Sequence, residues 1–283
     1  SDEIFKQLSQ NYLKFRNTCK FCLDNLVGFD ADHLVQPDEM LPLDKWAVTR
    51  LNTLIEKVFA AYDNYEFHVV SHMVNDFCVV DLSSFYFDII KDRLYCGEEN
   101  SLERRSAQSA VWMILDAMTR LFAPILAFTC DEVWLAMPHR AGDDARNVLL
   151  NQMVQPYAAY ALSEEEMGKW ARLAALRTAV NGALEQARAD KTIGKSLEAE
   201  VDLTVTAEDA FLTDMDAADL ADLLIVSQVR VEVGAELTVA VRPANGAKCL
   251  RCWKVLPTVG SDAGHPDLCP RCAAVVKNLP VIE

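Results

Sequence analysis

Four cysteines near the carboxyl end of the sequence have the spacing of a metal site. Cys249 and Cys252 form one Cys-x-x-Cys pair, Cys269 and Cys272 form a second, and sixteen residues separate the two pairs. Two such pairs can place four thiolates at tetrahedral positions around one Zn²⁺. Because four protein ligands leave no open coordination position, the spacing predicts one structural zinc ion rather than a catalytic one.

The stretch that carries these cysteines is too small to fold on a hydrophobic core alone. Residues 245–283 contain few large apolar side chains, so bound metal is expected to supply the missing folding free energy. We expect Trp253 to cover the small core and His265, the one rival ligand, to lie on a loop. Disulfide bonds are disfavoured because the chain has nine cysteines, an odd number, and shows no secretory signal pattern.

A further Cys-x-x-Cys pair, Cys19 and Cys22, lies in a different context. It falls within a run of apolar residues at i, i+3 and i+4 spacing that includes Phe15 and Leu26. This spacing is typical of the buried face of an amphipathic helix, where cysteine behaves as a small apolar residue. We therefore expect both thiols to lie in a core rather than to bind metal.

The residues before the zinc motif have the pattern of packed helices. Apolar side chains recur at helical spacing from about residue 2 to residue 195. Asn100 and Glu103 have the spacing of a capping box at the start of one long helix, and Pro124 should interrupt it. Because the connections between the helical runs are short or contain proline and glycine, the sequence predicts an antiparallel helix bundle.

The pattern changes after residue 195. Apolar and polar residues alternate over 201–205, 229–233 and 237–241, which predicts strands with one buried face, and a helical stretch separates the first two. The predicted fold class is therefore mainly α. It comprises a helix bundle at 1–195, a small acidic α+β junction domain at 196–246 and a Cys₄ zinc finger at 247–283.

The charge of the chain is uneven. The net charge is −15, and residues 197–240 contain eleven acids and one base, whereas the zinc region is mildly basic. A local basic patch can bind phosphates even on an acidic protein. Basic groups beside exposed aromatic rings suit single-stranded loops of RNA, whose bases can stack on the rings. The candidate RNA contacts cluster at the end of the bundle and around the zinc motif: Arg188, Lys191, Lys195, Lys248, Arg251 and Lys254.

Two other motifs do not support catalysis. Gly194-Lys195-Ser196 resembles the end of a P-loop, but no strand precedes it and the required first glycine is Ala189. His68 and His72 have the i, i+4 spacing of a metalloprotease helix but lack the glutamate that acts as general base. We find no catalytic constellation, so the sequence favours a recognition function.

The sequence also bears on cellular location. No stretch is long and apolar enough to span a membrane, because Asp116, Arg120 and Asp131 interrupt the most hydrophobic region. Reduced cysteines and a zinc motif are typical of the cytosol. We therefore expect a cytoplasmic protein with no membrane partner.

Several separate strings resemble bacterial isoleucyl-tRNA synthetase, a class I aminoacyl-tRNA synthetase. The terminal four-cysteine module is similar to the zinc finger that this family shares with formamidopyrimidine-DNA glycosylases. The resemblance runs in the same order along the chain and covers about residues 1–275. The matching strings are RNT at 16–18, SFYFDIIKDRLY at 84–95, APIL at 123–126, DEVW at 131–134, ARADK at 187–191 and IGKSLEA at 193–199.

The resemblance implies the carboxy-terminal region of a cytosolic ligase that joins isoleucine to its tRNA with ATP. That region comprises an anticodon-binding domain and a zinc finger. The family's His-Ile-Gly-His and Lys-Met-Ser-Lys-Ser signatures do not occur in these residues, so we expect ATP to be a cofactor only of the parent enzyme. The implied partner is tRNA(Ile), held by its anticodon stem and loop, and we expect a monomer.

Two alternatives stay open at this point. A zinc-stapled helical scaffold that binds only protein would carry the same bundle and the same cysteines. A zinc-finger protein similar to the DNA-repair glycosylases would share the cysteine module. That family uses an amino-terminal proline as its nucleophile, whereas the first residue of this sequence is Ser1.

Overall fold

Apolar side chains at helical spacing form helices through the first part of the chain, as predicted. The computed structural model describes residues 2–279. These divide between Ser163 and Glu164 into two compact units. The helices of the first unit are α1 (Asp2–Asn25), α2 (Pro42–Asp63), α3 (Phe67–Asp76), α4 (Phe87–Cys96), α5 (Leu102–Phe122) and α6 (Ala127–Ala136). A π-helical segment, Phe77–Tyr86, joins α3 to α4, so the predicted helical run continues without a loop.

The first unit is organised around α5. Every residue of this helix from Ser106 to Thr119 is buried, and α5 packs against α1, α2, α4 and α6. The hydroxyls of Ser106 and Ser109 accept hydrogen bonds from the backbone N–H groups of Leu41 and Val35, at 2.9 and 3.0 Å. These two bonds fasten the connection between α1 and α2 to the central helix.

The ends of α5 test two expectations. The helix stops at Phe122, two residues before Pro124, so the predicted interruption is confirmed. The predicted cap is wrong by one residue. Ser101, not Asn100, has the extended backbone of an N-cap, and its side chain accepts the N–H of Arg104.

The core of the first unit contains a buried carboxylate. Asp44 accepts hydrogen bonds from Tyr86 at 2.7 Å, from Ser106 at 2.5 Å and from Arg93 at 3.2 Å. Burial raises the pKa of Asp44, and the positive charge of Arg93 opposes that shift. The three donors compensate the loss of water, as a buried charge requires.

The thiols of Cys19 and Cys22 lie in this core. Both side chains are buried on α1, and burial raises the pKa of each thiol. Thiols held in the protonated form are poor metal ligands and poor nucleophiles. The core interpretation of this pair is therefore confirmed.

The second unit combines one long helix with two small sheets. Its elements are α7 (Glu164–Ala189), β1 (Ala199–Val205), α8 (Ala217–Leu224), β2 (Gln228–Val233), β3 (Thr238–Pro243), β4 (Ala247–Lys248), β5 (Val255–Leu256) and α9 (Pro270–Lys277). Short 3₁₀ turns at Ser196–Glu198 and Ala207–Asp214 flank β1. The fold class predicted from sequence is therefore confirmed: helices dominate, and a small α+β region precedes the cysteine module.

The larger sheet has the order β2-β1-β3. Strand β1 runs parallel to β2 and antiparallel to β3, with Val201 opposite both Val229 and Val241. A parallel pair needs a crossover connection, and α8 lies within it. Val201, Leu203 and Val205 point into the buried face, and α7 packs against β3.

The division into units bears on the domain boundaries. Helix α7 groups with the sheet and the cysteine module, whereas the sequence assigns it to the helix bundle. The three-part division at 195 and 246 stays a prediction, and its outermost residues, 1 and 280–283, lie outside the described residues. Within residues 2–279, none of the helices has the length and apolar character needed to cross a membrane.

Candidate metal centre and cationic surface

The four cysteines of the spacing motif come together in the second unit. Their sulfur atoms lie within 4.8 Å of one another, and all four side chains are buried. Among residues 2–279 this is the single group of potential metal ligands that is close enough to share one ion, and it does not include His265. Four thiols at this separation fit a zinc ion without open positions.

Local backbone structure positions the thiols. The N–H of Trp253 donates to the carbonyl of Cys249, which closes the first Cys-x-x-Cys turn, and Cys269 is the N-cap of α9. Gly246 has a φ of 120°, and a Cβ there would meet the backbone of Leu256 at 2.2 Å. Only glycine fits at this crossing, where the chain enters the cysteine module.

The four thiols differ in pKa: that of Cys249 is lowered, and those of the other three are raised. Burial opposes ionisation of all four, but backbone N–H groups of residues 252, 269 and 251 lower the pKa of Cys249 to about 6. Burial raises the pKa of Cys252 to about 11 and also raises the pKa of Cys269 and Cys272. A bound Zn²⁺ would deprotonate the remaining thiols, because zinc ligands are thiolates.

A cationic cavity lies at the end of α7. Its volume is about 370 Å³, and its lining includes Arg188, Lys191, Gly194 and Glu198. Lys191, two residues after the end of α7, has a left-handed φ of 59° in the turn that leads toward β1. Most of the lining residues come from the helix end and the turn that follows it, and Pro243 comes from the end of β3.

Glu198 organises this turn. Its carboxylate accepts the N–H groups of Gly194 at 2.9 Å and Lys195 at 3.1 Å. These backbone hydrogen bonds lower the pKa of Glu198, and the charges of Lys248 and Lys195 lower it further. The Glu198 carboxylate therefore lies near two of the predicted RNA contacts: Lys195, from the turn after α7, and Lys248, from the cysteine module.

Trp253 lies on the surface and not over the core, so the expectation that it covers the small core is wrong. Its side chain is 57% exposed, its φ is 65°, and the Lys195 ammonium lies 5.8 Å from the ring centroid. Bulky residues rarely adopt a left-handed conformation. The backbone of the first Cys-x-x-Cys turn thus holds the indole ring outward, beside Lys195, which directly follows the cavity residue Gly194.

The six predicted contact residues fall into two groups. Arg188 and Lys191 line the cavity, and Lys195 and Lys248 lie close enough to Glu198 for their charges to lower its pKa. Arg251 and Lys254 have partners within the protein. The Arg251 guanidinium lies 3.9 Å from the sulfur of Cys272, and Lys254, 12% exposed, forms an ion pair with Asp222.

Two further residues join the cysteine module to the larger sheet, and the sequence analysis missed both. Ser227 and Gln228 lie at the start of β2 and bond to the backbone around Val255. A serine and a glutamine before an alternating strand have no distinctive spacing. Only the tertiary arrangement reveals them.

Comparison with known proteins identifies the family. The sequence profile described as the anticodon-binding domain of tRNA ligase matches residues 44–203, more than half of the chain. The chain belongs to this anticodon-binding family. A second profile, the zinc finger found in FPG and IleRS, matches residues 246–275 and spans all four cysteines. The structural zinc ion of this anticodon-binding protein, predicted from cysteine spacing, is thereby confirmed.

Curated relatives agree with the family. The anticodon-binding chain is 44% identical to the isoleucine–tRNA ligase of Geobacter sulfurreducens and 45% identical to that of Desulforamulus reducens, over 98% of its own length. It is 41% identical to the isoleucine–tRNA ligase of Edwardsiella ictaluri. The chain spans about a third of the length of these relatives, 31%, 31% and 30% respectively. The resemblance to isoleucyl-tRNA synthetase is confirmed.

Proposed function

We propose that this chain binds tRNA(Ile) by its anticodon stem and loop. In this proposal it positions the tRNA for ATP-dependent aminoacylation within an isoleucine–tRNA ligase. One observation supports it above the others: cations from the end of α7 and from the cysteine module converge beside an exposed indole ring. Converging cations bind RNA phosphates, and an exposed ring stacks on an unpaired base.

The cations supply the first part of the mechanism. Lys191, Lys195 and Lys248 are exposed, and Arg188 is partly exposed at the cavity. Arg188 donates to Ser196 and pairs with Glu185, so its guanidinium is held in place beside the cavity. In this proposal the four cations bind successive phosphates at the anticodon end and fix the register of the RNA.

Trp253 supplies the second part. Its side chain is more than half exposed and Lys195 lies over the ring, so the ring offers exposed aromatic surface on which a splayed base can stack. Stacking of a base on an aromatic ring contributes about 1–3 kcal/mol. Phosphate contacts would thus position the loop, and the ring would stack on one of its bases.

The zinc ion would hold this surface rather than take part in chemistry. We propose Cys249, Cys252, Cys269 and Cys272 as its four ligands, supported by their mutual separation of at most 4.8 Å. Arg251 and Lys254 remain proposed RNA contacts. Arg251 also contacts the sulfur of Cys272 and Lys254 also pairs with Asp222, so both side chains contribute to the structure of the cysteine module. The monomeric state stays a prediction from the resemblance, and the cytoplasmic location stays a prediction from the cysteines, the zinc motif and the resemblance.

The test is binding of a labelled anticodon stem-loop of an isoleucine tRNA, followed by fluorescence anisotropy with zinc present. We expect salt-sensitive binding at micromolar protein, and at least tenfold weaker binding when the loop bases are changed on the same stem. Lys169→Ala is the matched control. Lys169 lies on α7 about 28 Å along the helix axis from Arg188, and it pairs with Glu165.

Two results would refute the proposal. Absence of binding by the zinc-loaded protein would show that this chain alone does not bind the anticodon stem-loop. Equal affinity for the isoleucine stem-loop and an unrelated hairpin would indicate a merely polyanion-binding surface, and would favour the protein-scaffold alternative.

A further inference from the structure

A single buried hydroxyl joins the two halves of the cationic surface. The Ser227 side chain accepts the N–H of Val255 at 2.7 Å and donates to the carbonyl of Leu197 at 2.5 Å. Ser227 is 5% exposed, so water does not replace either partner readily. Its own N–H donates to Ala199 at 3.1 Å, which fixes the serine at the edge of the larger sheet.

The neighbouring side chain holds the same segment from a second direction. The amide nitrogen of Gln228 donates to the carbonyl of Asn245 at 2.7 Å and to the carbonyl of Val255 at 3.0 Å. Val255 therefore has its N–H bound by Ser227 and its carbonyl bound by Gln228. Because Asn245 lies just before the cysteine module, Gln228 also ties the entry of the module to β2.

The residues that Ser227 and Gln228 bind lie close in the chain to the cations of the proposed RNA-binding surface. Val255 pairs with Lys248 in the β4–β5 ladder and lies two residues after Trp253. Leu197 lies next to Glu198, whose carboxylate holds the turn of Gly194 and Lys195. Ser227 thus connects the β4–β5 hairpin, in which Lys248 pairs with Val255 and Trp253 lies in the connecting turn, with the turn that carries Lys195.

We propose that Ser227 and Gln228 are positioning residues for RNA binding. They hold the zinc module so that Lys248 and Trp253 form one surface with Lys191 and Lys195. The inference rests on the proposed function, since it assigns a task within that RNA-binding surface. Neither side chain needs to touch RNA, and each acts through the residues that it holds.

The test combines three measurements on Ser227→Ala and Gln228→Ala in the full chain. Zinc quantification should still give one ion per chain, because neither residue belongs to the cysteine tetrad. Hydrogen exchange should speed up in the peptide that contains Val255. The stem-loop Kd should rise about five- to tenfold for each variant. Ser227→Thr keeps the hydroxyl and should recover at least half of the loss on a logarithmic scale.

A double-variant cycle separates positioning from a general structural role. If Ser227 acts by placing Lys248, the loss of affinity from Ser227→Ala should shrink in a Lys248→Ala background. Fully additive losses would overturn the inference, as would unchanged affinity together with faster exchange at Val255. If Ser227→Ala loses zinc, the same cycle is read from Gln228→Ala, whose side chain is only partly buried.

The inference and the proposed function fail in different ways. Absence of stem-loop binding by the unmodified, zinc-loaded chain would overturn the proposed function, and the positioning task with it. Binding by the unmodified chain with additive variant effects would overturn the positioning task alone.

Discussion

Removing the exposed cations should reduce the salt dependence of RNA binding by a calculable amount. Lys191, Lys195 and Lys248 are exposed. Lys195 and Lys248 are close enough to Glu198 for their charges to lower its pKa, but within residues 2–279 none of the three lysines forms a direct ion pair. Each can therefore neutralise one phosphate. A phosphate contact contributes about 0.7–0.9 to the slope of log affinity against log salt concentration. Three alanine substitutions should lower the slope by about 2–3.

The same arithmetic gives the change in affinity. Between about 50 and 200 mM salt, one phosphate contact changes the binding constant about threefold, and three contacts change it about thirtyfold. Anisotropy titrations of the anticodon stem-loop over this salt range would measure the slope for each single variant and for the triple variant. Lys169→Ala should keep the slope of the unmodified chain, because Lys169 is paired with Glu165 at the far end of α7.

The result that refutes this reasoning is specific. An unchanged slope in the triple variant would mean that these three lysines do not contact phosphate. An equal drop from Lys169→Ala would mean that any surface charge has the same effect, so that the cavity has no special role. A lower affinity with an unchanged slope would assign the lysines to base contacts or to folding.

Three further outcomes follow from the structure. Chelation of zinc, or Cys272→Ser, should abolish stem-loop binding and the structure of the cysteine module, measured by zinc content and hydrogen exchange. Asp44→Ala should lower the free energy of unfolding by about 3–5 kcal/mol in urea, because it leaves Arg93 without its buried carboxylate. Hydrogen bonding to Arg242 lowers the pKa of Glu200, so this carboxylate stabilises the fold above its ordinary pKa of about 4.3. Glu200→Gln should cost about 1 kcal/mol at neutral pH, since Arg242 is 45% exposed, and this cost should vanish as acid titrates Glu200 through its lowered pKa.

The features that the sequence predicted correctly have local causes. The geometry of a Cys-x-x-Cys turn depends on four consecutive residues, so the spacing of Cys249 and Cys252 predicts how their thiols converge. Pro124 lacks the N–H that a helix needs, so α5 must end near it. Alternation of apolar and polar residues is enough to predict β1, β2 and β3, because one face of the sheet is buried: β2 packs against α8, β3 packs against α7, and the apolar side chains of β1 are buried.

The features that sequence analysis missed depend on contacts between distant segments. Trp253 follows a cysteine in a small domain, where an aromatic residue is expected to be buried, yet the left-handed knuckle turns it outward to Lys195, 58 positions earlier in the chain. Ser227 bonds to backbone 28 and 30 residues away. No pattern within a short window records such partners. The error at the α5 cap is different in kind, since Asn100 and Ser101 are both good cap residues and only backbone conformation chooses between them.

The net charge of −15 gives a misleading view of how this chain could bind RNA, because many acids between 197 and 240 are used within the protein. Glu200 pairs with Arg230 and Arg242, each at 3.0 Å, and Glu198 accepts two backbone N–H groups in the turn after α7. Others pair with Arg172 or Lys254, or cap α8: Glu208, Asp209, Asp222 and Asp216. An acid held by a cation or a backbone donor repels a phosphate less than a free one does. The four cations at the end of α7 and on the cysteine module therefore determine the local potential that an approaching RNA meets, whereas the total charge mainly weakens non-specific association.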